Sequence, residues 1–541
     1  MPPSEYIQEP PADPLAPAEQ LVHWLLTTTV YLVLGLAIGV IAARAMRGWH
    51  LRWTWAAVVV GLVALARSAL GMGAASTLGM ASLCATVRAR RWHREDIEAG
   101  ADLAELAAGR RGPLDALRSL VRRVELRRGT AALESWFRGE RLIVGREQNG
   151  RVVSIPLGGA TGGTHTLVVG AAGSGKTVTQ TWIAVRAIEH GMGAVVVDPK
   201  GDPYLREEVR NAARATGRPF IEWTPSGPSI YNPYAHGSET EIADKALAVE
   251  RFTEPHYLRQ AQRYLGHEVR ALRNAGLEVS LTALVDHLDP ARLELLIRSL
   301  PESAAQAAQY AYLDALTVRQ QSDLAGVRDR LAIMAESDIG GWLDPRTEGA
   351  ERFGLLEAVS AQAVVYFSLE ADRRPLLAQM LGAAIVQDLQ TTVAALQGRP
   401  VPTLVLIDEF SAVAAEQVVR LFARARSAGV SMLLGTQELS DVRLYGRETL
   451  LDQIVGNLST LIVHRQVVPA SAELIASLVG ARGAWRTSRR SDGAVTRTRG
   501  YEKVLQPDEV VRLVRGLAAV IGLSDGGGAR IARICSINRY R

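Results

Sequence analysis

Residues 170–177 read GAAGSGKT, directly after the apolar run Thr166 to Val169 and before a helix-like stretch from Val178 to His190. A strand, a glycine loop and a helix in that order form a P-loop. Gly170, Gly173 and Gly175 let the backbone turn tightly, so that the N–H groups of the loop, including Ala171, Ala172 and Ser174, and the helix N-terminus face phosphate. Lys176 then reaches the β/γ-phosphates and Thr177 takes Mg²⁺. The full eight-residue pattern is far more specific than a lone GxGxxG.

A second apolar strand, Thr403 to Ile407, ends in Asp408-Glu409. This is the Walker B arrangement, with Asp408 in the Mg²⁺ shell and Glu409 orienting and deprotonating a water. A third strand, Val430 to Leu434, runs into Gly435-Thr436-Gln437. That puts the Gln437 amide at the C-terminal end of a strand, where ligands collect in doubly wound sheets, and suits it to sense γ-phosphate. Only four of the 61 lysines and arginines are lysine, at 176, 200, 245 and 503, and two of those follow strands. In so arginine-biased a chain, a lysine in the glycine loop fits the need for a compact point charge.

With 541 residues and 48% hydrophobic content, the chain is long enough for several domains. Two cysteines, Cys84 and Cys535, exclude a disulfide framework and a cysteine-rich metal site. The pI near 9.3 and the arginine clusters point to an anionic partner, nucleic acid or lipid or both.

Leu21 to Ala43 contains no Asp, Glu, Lys or Arg, and such a helix spans about 35 Å, enough for a hydrocarbon core of about 30 Å. A second apolar block, Trp53 to Val87, is interrupted by Arg67 and followed by arginines from Arg88 to Arg128. The positive-inside rule puts everything after Val87 in the cytoplasm. Arg44, Arg47 and Arg52 prefer the same side, so two or three crossings are expected, of which three short spans satisfy the rule and two do not. The Arg88 to Arg128 series reads equally as a headgroup contact and as a solvated helix face.

Downstream, Arg141 to Pro156 alternates around Asn149-Gly150, a hairpin signal. A strand at Ala194 to Val197 ends in DPKGD, residues 198–202. Capping residues Ser280 and Asp289-Pro290 open two amphipathic helices inside a helical insert, and the parallel-sheet pattern resumes at Ala363 to Leu369, with a final strand near Ala518 to Leu523. The expected organisation is a disordered acidic, Pro-rich tail (1–20), a transmembrane anchor (21–92), a basic linker (93–139), a nucleotide-binding α/β domain in two parts (140–235 and 352–541) and an all-helical insert (236–351).

GAAGSGKT, DPKGD, the Tyr231-Asn232-Pro233 turn before the insert, LIDEF at 406–410 and GTQELS at 435–440 together resemble the coupling ATPases of type IV secretion and conjugation systems. These belong to the wider group of FtsK/HerA-like DNA pumps. The resemblance covers about residues 140–541 and, in general form, the anchor. It implies a RecA-like P-loop motor at the bacterial inner membrane, a multi-pass protein that assembles as a homo-hexamer. Such a motor uses ATP and Mg²⁺ to pass relaxase-bound single-stranded DNA from the relaxosome to the secretion channel. It also implies an arginine acting on the neighbouring subunit's nucleotide, for which Arg426 in ARSAG is the best match and Arg424 a competitor.

Arg486, Arg489, Arg490 and Arg497, interleaved with Trp485 and Tyr501, have the ingredients of sequence-blind single-strand binding, though a charged hairpin is often merely solvated. The competing reading is a secretion ATPase that drives protein export or assembly without DNA. The loop between the apolar blocks is shorter than in better-known members, and no long tail follows the last strand.

Overall fold

The structure, a computed structural model, describes residues 16–48, 51, 53–98, 136–148, 150–159, 162–248, 254–413, 415–439, 448–489, 495–524 and 528–537. It divides into two compact units, one of residues 1–134 with 483–502 and one of residues 135–482 with 503–541.

Among the described residues the first unit holds four helices: α1 (Ala16–Gly48), α2 (Thr54–Leu65), α3 (Arg67–Leu70) and α4 (Met72–Glu98). α1 and α4 run parallel at close range. A Cβ on Gly35 would lie 2.6 Å from the Thr77 carbonyl oxygen and one on Gly39 2.6 Å from that of Ala81. This is the small-residue spacing that lets apolar helices meet without a hydrophobic driving force. Arg90 lies over the Trp53 ring, 5.3 Å from its centroid, the amphipathic pairing suited to a membrane–water boundary.

Two or three crossings were expected, and more than one is not supported. Among the described residues one helix, Ala18–Met46 within α1, is long and apolar enough to cross a membrane. The second apolar block is broken at Ala66 and Gly71, which leaves α2 with 12 residues, a length of about 18 Å that falls short of a bilayer core.

The second unit is built on a twelve-stranded mixed sheet. Its strands are β1 (Phe137–Arg138), β2 (Arg141–Glu147), β3 (Val152–Pro156), β4 (His165–Val169), β5 (Gly193–Asp198), β6 (Phe220–Trp223), β7 (Val364–Ser368), β8 (Thr403–Ile407), β9 (Val430–Thr436), β10 (Thr460–Val463), β11 (Leu517–Gly522) and β12 (Ala529–Ile534). Seven strands, in the order β10-β4-β9-β8-β5-β7-β6, are parallel. Their sequences are near-continuous apolar runs because helices cover both faces. Leu167 and Val169 enter one core and Val168 the other, the period of two made visible in a single strand.

At the other edge, β11, β12, β2, β1 and β3 pair antiparallel. The sequence pattern ended the sheet near Leu523, and β12 is a further strand. Its alternating exposed Arg533 and buried Ala532 and Ile534 are the reason an apolar-run criterion passes over it.

Helix α5 (Lys176–Glu189) follows β4 and α6 (Pro203–Ala215) follows β5. The indole N–H of Trp182 donates to the Ile143 carbonyl at 2.8 Å, fastening α5 to the antiparallel edge. Between β6 and β7 lie α7 (Glu239–Ala246), α8 (Pro255–Asn274), α9 (Leu281–His287), α10 (Pro290–Arg298), α11 (Ala304–Asp314) and α12 (Val318–Ala335). Ser280 caps α9 and Asp289 caps α10, which has Pro290 at its first turn.

These helices share one continuous core with the sheet, running from Val195 and Phe367 through Tyr231 and Tyr234 to Tyr264 and Leu331. The joint is ionic as well. Lys245 on α7 donates its three ammonium protons to Asp388 Oδ1 (2.6 Å) on the helix α13 (Pro375–Ala395) and to the carbonyls of Pro233 (2.9 Å) and His236 (2.7 Å). The Tyr231 hydroxyl donates to Asp388 Oδ2 at 2.9 Å. Burial pushes the Asp388 carboxyl up, against the pull of Lys245. Because every polar atom of this buried pair has a partner, it fixes α7 at one position on α13.

Candidate nucleotide site

The parallel strands deliver their C-terminal ends to one edge of the sheet, and the register there is exact enough to assemble a site. Thr436 lies beside Val169, so Gln437 stands level with Gly170; Ile407 lies beside Leu434, so Asp408 stands level with Gly435. One strand, β9, is inserted between β4 with its glycine loop and β8 with its acidic pair.

The loop has the conformation its glycines allow. Gly173 has φ +72° and Gly175 φ +111°, values that side chains rarely adopt. A Cβ on Gly170 would stand 2.4 Å from Ser174 Oγ and 2.7 Å from the Cβ of His464. The N-terminus of α5 has no side-chain cap, and Ser174 Oγ is buried without a hydrogen-bond partner. Orphan donors at the start of a 14-residue helix are an anion site.

Lys176, Asp408 and Glu409 are all less than a tenth exposed. Lys176 Nζ lies 3.1 Å from Asp408 Oδ1 and donates to Glu409 Oε1. Asp408 is fixed by its own N–H, which donates to the Val197 carbonyl at 3.1 Å, and by Gln180 Nε2 at 3.0 Å. A Cβ on Gly435 would lie 2.4 Å from Asp408 Oδ1 and 2.1 Å from Gln180 Nε2, so this contact requires glycine there. Glu409 sits in the left-handed region with φ +42°, a strained conformation that persists where surrounding contacts over-determine it. Thr177 is half-buried at the second position of α5, and Gln437 is half-buried at the end of β9.

The other residues singled out in the sequence are placed elsewhere. Arg426 precedes β9 and so stands at the opposite end of the strands from the glycine loop, about 20 Å away by strand rise. It is exposed, donates from Nη2 to the Asn457 carbonyl at 2.8 Å, and accepts from Gly163 N–H at 3.0 Å through its carbonyl. Arg424 is exposed at the same end. Arg486 and Arg489 belong to the strand Ala481–Arg489 and Arg497 to its partner Val495–Lys503. Arg490 lies outside the described residues. Tyr501, on the same hairpin, is 82% exposed. Most of this hairpin groups with the N-terminal residues, in the other unit from the glycine loop.

Two residues at the site escaped the sequence reading. Lys200, in DPKGD, donates to Glu409 Oε1 at 3.0 Å. His464, immediately after β10, packs on the loop and meets Thr179 Oγ1 through Nε2 at 2.8 Å. Burial pulls its pKa down to about 4, with the Lys176 charge adding, so at neutral pH it is an uncharged wall of the loop. A polar residue at the exit of an apolar strand was the available signal for His464.

Residues 402–515, from Walker B through the basic hairpin, match the family described as the TraM recognition site of TraD and TraG. The chain is also 31% identical, over 104 residues covering 19% of it and 69% of the other, to an uncharacterised protein of Mycoplasma pneumoniae. The segment 402–515 belongs to the TraD and TraG family.

The fold is that of solved conjugative coupling proteins. The unbound conjugative coupling protein TrwB, in a form named for a 70-residue N-terminal deletion, is 18% identical with a TM-score of 0.55, covering 74% of this chain and 93% of that one. TrwB in complex with ADP and Mg²⁺ is 19% identical with a TM-score of 0.50, over 69% of this chain and 85% of that one. VirB4 of Thermoanaerobacter pseudethanolicus is 14% identical with a TM-score of 0.51, over 75% and 98%. The chain thus has a RecA-like P-loop fold with a helical insert and an apolar N-terminal helix.

Proposed function

We propose that this coupling ATPase hydrolyses ATP to drive single-stranded DNA, joined to its relaxase, from the relaxosome into a conjugative type IV secretion channel at the bacterial inner membrane. One observation carries the chemistry: a buried lysine at the uncapped N-terminus of α5 faces two carboxylates delivered by β8. ATP and Mg²⁺ suit this donor set. The loop N–H groups and the unpartnered Ser174 Oγ match phosphate oxygens, while Thr177 and Asp408 would hold the metal. When bound, the metal supplies charge neutralisation across the β/γ-phosphates.

The protein's own steps follow from the contacts. Lys176 leaves its carboxylate partners for phosphate. Glu409, released, accepts a proton from water, and Gln437 orients that water from the end of β9. Arg426 faces away from its own loop, so its use in catalysis is on the neighbouring subunit of a ring, a hexamer as in the DNA pumps this chain resembles. α1 supplies the membrane anchor, and the Arg88 to Arg128 series, which from Arg110 onward lies outside the described residues, its contact with lipid headgroups.

The basic hairpin is the DNA contact. Neutralised phosphates release counterions, so single-strand affinity should be independent of sequence and fall with salt at a log–log slope of about 0.7 per phosphate contact. Alanine at Arg486, Arg489, Arg490 and Arg497 together should flatten that slope by a few units. A salt titration of single-strand binding, wild type against the quadruple variant, checks this. An unchanged slope would make the hairpin a solvated one, and no binding by the wild type at low salt would favour an ATPase that drives protein export or assembly without DNA.

A further inference from the structure

The DPKGD loop is more heavily built than a connection between β5 and α6 needs. Asp198 is buried, and its carboxylate receives four donors: Lys200 N–H (2.9 Å) and Gly201 N–H (3.0 Å) on Oδ1, Asp202 N–H (2.6 Å) and the Tyr366 hydroxyl (2.6 Å) on Oδ2. Gly201 has φ +70°, and a Cβ there would stand 2.6 Å from Ser368 Oγ. Asp202 in turn caps α6 through the N–H groups of Tyr204 (2.8 Å) and Leu205 (3.3 Å). The backbone of Lys200 is therefore clamped on both sides, and its side chain points at the acidic pair.

What Lys200 meets there is an oxygen already in use. Glu409 Oε1 accepts from both Lys176 and Lys200. The two lysines differ in environment: the Lys200 side chain is 46% exposed and that of Lys176 8%. Lys176 cannot serve phosphate and neutralise Glu409 at once. Once it moves to a nucleotide, two neighbouring buried carboxylates lose their shared cation, and an uncompensated charge in a buried site is costly. Asp408 would have the bound metal as its counter-ion. For Glu409 the remaining cation is Lys200.

We propose that Lys200 is a positioning residue of the hydrolytic site, the counter-ion that keeps Glu409 in place while Lys176 is engaged on phosphate. It rests on the reading of Lys176 and Glu409 given under Proposed function. It assigns to DPKGD a role in the nucleotide cycle: Asp198 organises the loop, Gly201 permits its turn, and Lys200 hands charge to Glu409.

The test is a double-mutant cycle on the full chain, with Mg²⁺-ADP binding by calorimetry and steady-state ATP hydrolysis as readouts. Lys200→Met should weaken ADP binding and lower kcat, each by about tenfold or more, the scale of a charge-assisted hydrogen bond. Lys200→Arg should restore most of both. In a Glu409→Gln background, where no carboxylate needs compensation, Lys200→Met should leave ADP affinity within about twofold, which also shows that the variant folds. Unchanged ADP affinity or unchanged kcat in Lys200→Met would overturn the proposal. So would an equal loss of affinity in both backgrounds, which would put Lys200 on phosphate itself. A wild-type protein that binds no nucleotide would overturn the proposed function, and this inference with it.

Discussion

Replacing Glu409 with glutamine should lower ATP turnover by about 10² to 10⁴, the usual worth of a positioned general base, while nucleotide binding survives. The ligand-free contacts sharpen this expectation. Glu409 holds Lys176 through Oε1, so removing its charge frees Lys176 for phosphate, and the variant should bind nucleotide at least as tightly as the wild type. Lys176→Ala should behave oppositely. It removes the cation from the phosphates and also leaves Asp408 and Glu409 as adjacent buried carboxylates, so both binding and turnover should be lost. Measured side by side, equal loss of binding in the two variants would refute the assigned roles.

Arg426→Ala should cost about 10³ to 10⁵ in turnover, the range of arginine fingers. Its position makes the expected effect an intersubunit one. The glycine loop occupies the C-terminal edge of the parallel strands and Arg426 the N-terminal edge, its guanidinium on the Asn457 carbonyl. A residue so placed has no path to its own nucleotide short of refolding β9. Mixing Arg426→Ala with Lys176→Ala subunits should therefore restore activity at interfaces that pair an intact loop with an intact arginine. Mixed rings with no recovery at any ratio would count against the assignment.

The acidic pair and the glycine loop were legible in the sequence because each is a contiguous string whose neighbours declare a strand. That they meet was not legible, since it depends on β9 lying between β4 and β8 and on the register that sets Asp408 beside Gly435. Lys200 was visible inside DPKGD, yet its partner is 209 residues away, and only the parallel pairing of β5 with β8 brings the two together.

The antiparallel strand β12 was missed for a different reason: Arg530 and Arg533 break its apolar run at positions that face outward. A second span is not supported because the helix breaks from Ala66 to Gly71, which hydropathy does not register. The helical insert shows where local signals suffice, Ser280 and Asp289 starting helices by capping alone.

The central claim is that hydrolysis at this site is geared to single-stranded DNA, and ATP turnover by the detergent-purified full chain with and without circular single-stranded DNA measures it directly. The account predicts a rate that rises with DNA, loses that rise as salt is added, and vanishes in Glu409→Gln. A turnover that depends on Lys176 and Glu409 yet is identical with and without DNA at low salt would contradict it.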